Sequence, residues 1–127
     1  MSQAQNPKQY DLEPRTFEFA KRVRDLVKKL PHTIANTEDG KQVVRSSGSI
    51  GANYIEANEA LSKKDFIMRI KICRKEAKES EYWLRLFDVN ESLASECAAL
   101  AEEAKELRKI FGSIVQKSKP PKINLDA

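Results

Sequence analysis

The chain has 127 residues, 40% of them hydrophobic and 33% charged, with a formal net charge of +4 and a pI near 9.1. That length fits one domain with a single core, and the composition excludes a disordered chain or, with two cysteines, a disulfide scaffold. No apolar run approaches the ~20 residues that span a bilayer, and MSQAQNPKQYDLEPR lacks the apolar stretch of a secretory signal, so a cytoplasmic location without a membrane partner is expected.

Residues 1–13 read as a flexible segment, and a first helix is predicted over 14–30. Pro14 suits a first helical turn, Phe19, Val23, Leu26 and Leu30 follow at steps of 4, 3 and 4, and Pro31 stops the pattern. PHTIANTEDG, residues 31–40, is made of loop formers and reads as a connection. A second helix is predicted over 41–60, with the seam Val43, Ser47, Ile50, Tyr54, Ala57 and then Leu61. The seam runs without interruption through SSGSIG, residues 46–51, so that serine–glycine cluster is helix rather than loop.

Ser62 reads as an N-cap with Asp65 three residues on, opening a third helix over 63–88. Its seam is Phe66, Ile70, Cys73, Ala77, Ser80, Leu84 and Phe87. A fourth helix over 91–116 repeats the pattern with Leu93, Cys97, Leu100, Ala104, Leu107, Phe111 and Ile114, Gly112 being a place where its last turn can fray. Residues 117–127 read as a flexible tail. Four such helices with short links predict an all-α, antiparallel, up-down-up-down four-helix bundle over 14–116. In that register Cys73 lies opposite Leu107, too far from Cys97 for a disulfide.

The second helix carries only Lys41, Arg45, Glu56 and Glu59 as charges between residues 41 and 60. Beside its seam runs a second row, Val44, Gly48, Gly51 and Ile55. Small residues there let another backbone approach, at about 1 kcal/mol per glycine relative to alanine. A helix from a second copy of the chain would offset that cost. Ile72, Tyr82 and Trp83 on the third helix exceed what one buried stripe needs and fit the same interface, although a wide core could also absorb them.

Positive charge is concentrated on two segments. Residues 14–30 hold Lys21, Arg22, Arg24, Lys28 and Lys29, and residues 62–75 hold Lys63, Lys64, Arg69, Lys71, Arg74 and Lys75, whereas residues 90–111 are acidic on balance. The two segments are candidate phosphate contacts for a nucleic acid, or plain solvated faces.

Enzyme chemistry finds few ligands. SSGSIGANY matches neither GxxxxGK[ST] nor GxGxxG and follows no strand. A di-metal bundle site needs Glu-x-x-His pairs, and His32 is the single histidine, so no metal or cofactor is expected. Glu76 and Glu79 sit beside Lys75 and Lys78 and read as a charged face. A helical Arg followed four to six residues later by His marks the HEPN ribonucleases; Arg24 and His32 depart from that spacing, leaving His32 as the only base a ribonuclease-like reading could use.

The helix-two residues Arg45, Ser47, Ser49, Ile50, Asn53 and Glu56, with Phe66, Ile70, Cys73, Glu76, Glu79, Trp83 and Leu84 of helix three, carry a resemblance. Over roughly residues 15–115 the chain resembles the small bacterial four-helix bundle proteins of the 23S rRNA intervening-sequence family. The resemblance implies a ring, typically a homopentamer. It also implies RNA binding, and the related accessory protein of diversity-generating retroelements implies a reverse transcriptase as a kind of protein partner. Arg45, Asn53 and Glu56, off the seam, would hydrogen-bond within or between subunits or contact RNA. The expectation is therefore a non-enzymatic homo-oligomer that binds RNA or DNA through basic helix faces, with a protein-interaction scaffold or a ribonuclease-like bundle as alternatives. Five copies would carry about +20 in total.

Overall fold

The computed structural model describes residues 12–119 and contains four helices: α1 (Leu12–Lys29), α2 (Ile34–Asn58), α3 (Lys63–Leu86) and α4 (Glu91–Ser118). Each helix packs on its neighbours in sequence, and α1 closes the square against α4, which makes the expected antiparallel four-helix bundle. In this arrangement α1 and α3 lie on one diagonal and α2 and α4 on the other.

The predicted seams form the core. Val43 and Ile50 of α2 are buried, as are Ile70, Cys73, Ala77 and Leu84 of α3 and Leu100, Ala104, Leu107 and Phe111 of α4. From α1 come Phe19, Val23, Leu26 and Leu12, the last two residues ahead of the expected helix start. Small polar groups in the core are paired. The Ser46 and Ser80 hydroxyls lie 2.8 Å apart, Cys73 Sγ donates to the Ile50 carbonyl, and Cys97 Sγ donates to that of Leu84. Both cysteines are free, and burial pushes the Cys73 thiol up to about 12. Leu61, assigned to the helix-two seam, is instead 98% exposed, because α2 ends at Asn58 and Leu61 sits in the link.

The larger correction is at the other end of α2. Residues 34–40, expected as loop, are helix. Thr33 is the N-cap, its side chain accepting from Asn36 N, and Gly40 is an interior helical residue beside Val27. Asn36 is buried and ties two links together: its Nδ2 donates to the Pro31 and Asp88 carbonyls, and its Oδ1 accepts from Asp88 N. Loop-forming composition lost here to a cap and to a bond that only the folded bundle provides. Ser62 does cap α3, accepting from Asp65 N. Gly112 does not fray α4, which continues to Ser118. Of the two segments expected to be flexible, residues 12–13 and 117–118 are helical, and 1–11 and 120–127 lie outside the described residues.

Candidate functional site

The α2 row of Val44, Gly48, Gly51 and Ile55 faces α1 of the same chain. A Cβ on Gly51 would sit 2.9 Å from Thr16 Oγ1, and one on Gly48 would sit 3.2 Å from an Arg24 guanidinium nitrogen. The close neighbour that the glycines admit is thus intramolecular, and they do not by themselves require a second copy. Thr16 is buried and its hydroxyl donates back to the Leu12 carbonyl, so it fills the space over Gly51 with a fixed atom. What stays open is a groove of about 490 Å³ between α1 and α2, floored by Gly48, Gly51 and Ala52 and edged by Phe17, Ile55, Lys21 and Arg24. Phe17 is 65% exposed and Ile55 is half exposed.

The other polar α2 positions face α3. Arg45 bridges to Glu76 at 3.2 Å and to Glu79 at 3.1 Å. Glu76 is only 6% exposed, so its carboxylate depends on Arg45. These glutamates therefore serve an interhelical clasp, not the Lys75/Lys78 pairing expected from their own helix. Asn53 donates to the Ser49 carbonyl and accepts from Arg69 Nη1 at 2.9 Å. Arg45 and Asn53 of the proposed interface are thus engaged inside the chain, while Glu56 is exposed. Ile72 and Trp83 are half-buried, and Trp83 Nε1 is buried without a hydrogen-bond partner among the described residues. Tyr82 is 59% exposed and meets Trp83 edge to face, with ring centres 5.0 Å apart.

Packing also sorts the basic residues. On α1, Arg22 is paired with Glu96 of α4 at 3.1 Å and Lys28 lies 4.0 Å from Asp25. Arg15 reaches Glu103 at 2.7 Å, and this hydrogen bond is the main cause of its raised pKa. The acidic α4 thus neutralises one side of α1. Lys21 sits over the Phe17 ring, Arg24 over Gly48, and Lys29 is exposed. On α3, Arg69 is held by Asn53 and Arg74 lies across Gly112 of α4. Lys63, Lys64, Lys71 and Lys75 are exposed and have no carboxylate within 4.0 Å among the described residues.

Lys78, absent from the sequence-based candidates, joins them. Lys64, Met68, Lys71, Lys75, Lys78 and Tyr82 follow at steps of 4, 3, 4, 3 and 4, and every one is exposed. They form a single outward row on α3. The same register count that found the core seam, started from Lys64, would have found it. Because α1 and α3 are diagonal, the two basic segments do not merge on one protomer.

His32 is exposed in the first link, with Arg24 directed away toward Gly48. No group of three His, Cys, Asp or Glu converges among the described residues, and no described helix is long and apolar enough to cross a membrane.

The chain's relatives are consistent with this architecture. The family model described as 23S rRNA-intervening sequence protein matches residues 8–113. A crystal structure of a protein with unknown function from the S23 ribosomal protein family of Bacteroides thetaiotaomicron is 34% identical, with a TM-score of 0.70. That similarity covers 82% of this chain and 97% of the other. No curated protein matches the chain.

Proposed function

The chain belongs to the 23S rRNA-intervening sequence protein family, and from that premise we propose that it is a non-enzymatic, self-associating bundle that binds nucleic acid through exposed lysines. The observation that carries the binding is the α3 row, in which Lys64, Lys71, Lys75 and Lys78 face outward with no carboxylate to neutralise them among the described residues. Uncompensated lysines at helical spacing form a strip of positive potential suited to a phosphate backbone.

Self-association is supported by the α1/α2 groove, where Phe17 and Ile55 flank a floor of Gly48, Gly51 and Ala52. Exposed apolar edges around a concave apolar floor fit a second protein surface. A ring of five copies, repeating the α3 row around an axis, would raise affinity through multivalency.

Light scattering with and without a generic RNA, followed by a salt titration of binding, tests both parts. The expected result is a mass of several protomers and RNA affinity falling about 50-fold between roughly 50 and 200 mM salt, for four phosphate contacts per protomer. A monomer at high concentration overturns the assembly, and affinity indifferent to salt overturns the binding mode. A protein recovered with the chain after nuclease treatment, with no RNA affinity, would favour the scaffold alternative.

A further inference from the structure

We infer that the outward row of α3 takes single-stranded rather than duplex nucleic acid, with Tyr82 as a platform on which a base stacks. The inference rests on the nucleic-acid reading above and names its substrate class. From Lys64 to Tyr82 the row is about 27 Å long, at 1.5 Å per residue. It is not purely cationic. Met68 and Tyr82 lie within it, and Leu86 continues it one turn further; Met68 and Leu86 are each 49% exposed and Tyr82 is 59% exposed.

A duplex hides its base faces in the stack, and the convex side of a helix would meet only its phosphates and groove edges. Met68, Tyr82 and Leu86 would then have groove edges alone to meet, with no open base face for Tyr82 to stack on. A single strand laid along α3 offers phosphates to Lys64, Lys71, Lys75 and Lys78 and open base faces to the aromatic and apolar side chains between and beyond them. Tyr82 is also pre-positioned, because its ring sits edge-on to the half-buried Trp83 at 77°, which lowers the cost of ordering it on binding. Within the row, lysines, a methionine and one phenol provide little to read base edges, so the expected preference is for strand state over sequence.

The experiment is fluorescence anisotropy of the full chain against a single-stranded oligonucleotide, its duplex, the same strand with abasic spacers, and polyglutamate. Single strand is expected to bind tighter than duplex, spacer strand and polyglutamate. Tyr82→Ala should weaken single-strand binding about tenfold, leave spacer binding unchanged, and be rescued by Tyr82→Phe. Lys71→Glu with Lys75→Glu should weaken all nucleic-acid binding. Lysine-dependent binding that ignores Tyr82, or that favours duplex, overturns this inference while sparing the broader reading. Binding indifferent to the lysine reversals, or no tighter than to polyglutamate, overturns both. A change of oligomer mass in Tyr82→Ala assigns Tyr82 to a subunit contact and overturns the stacking role.

Discussion

Gly51 and Gly48 lie three residues apart on α2, and the atoms opposite them give the two positions different tolerances. An alanine at 51 would press on Thr16 Oγ1, which is fixed by its bond to the Leu12 carbonyl, whereas one at 48 would meet the end of the flexible Arg24 side chain. Either alanine gains about 1 kcal/mol of helix propensity. Overpacking against a fixed group costs about 1–3 kcal/mol, so Gly51→Ala should lower urea-unfolding stability and Gly48→Ala should raise it by up to about 1 kcal/mol. Arg45→Ala strands the buried Glu76 carboxylate; with Arg45 itself half exposed, a loss of about 1–3 kcal/mol is expected by the same measurement. Cys73 makes a pH prediction. Burial favours the neutral thiol and raises its pKa from 9.0 to about 12, so the folded state holds this proton where the unfolded state releases it. The contribution is full below pH 9 and declines as pH rises toward 12. Native Cys73 should accordingly resist alkylation at pH 8 and react once urea unfolds the chain.

Among the elements, α2 is the one whose sequence pattern and structure diverge. PHTIANTEDG contains the residues of a connection, yet Thr33 caps a helix there and Asn36 clasps the α1–α2 link to the α3–α4 link. Asn36→Ala would leave the Asp88 backbone N–H and the Pro31 and Asp88 carbonyls without this partner. A destabilisation of about 1–3 kcal/mol is expected, visible as a lower urea midpoint and as faster amide exchange in the first turns of α2. The helix-two motif that carries the family resemblance is likewise interhelical. Arg45 reaches Glu76 and Glu79 while Asn53 accepts from Arg69, so these polar positions join α2 to α3. The seams of α3 and α4 were legible in advance because a 4–3 apolar step is a local property of one helix.

At the scale of the molecule, charge is distributed by the square packing of the helices. The acidic α4 lies beside α1, and Glu96 and Glu103 take Arg22 and Arg15. The diagonal helix α3 keeps its outward lysines free of such partners among the described residues. Reversing two charges on α3, Lys71→Glu with Lys75→Glu, should therefore weaken RNA binding more than Lys21→Glu with Lys29→Glu on α1. Anisotropy at one fixed salt concentration measures the difference, and equal losses would mean that α1 and α3 both contact the nucleic acid. The opposed faces also explain why summing basic residues along the sequence overcounts the candidates: Arg22 and Arg69 are already engaged.

By itself the sequence determined that there are four helices, where two of their three links fall in outline, and which apolar residues make the core. Period, caps and breakers act within a few residues, so they can be read in one dimension. Only the tertiary structure decided that the glycine row faces α1, that Glu76 and Glu79 answer to Arg45, and that the two basic helices stand on a diagonal with one open lysine row. Those outcomes depend on which helix lies beside which, and side chains tens of residues apart in sequence meet only after the bundle has packed.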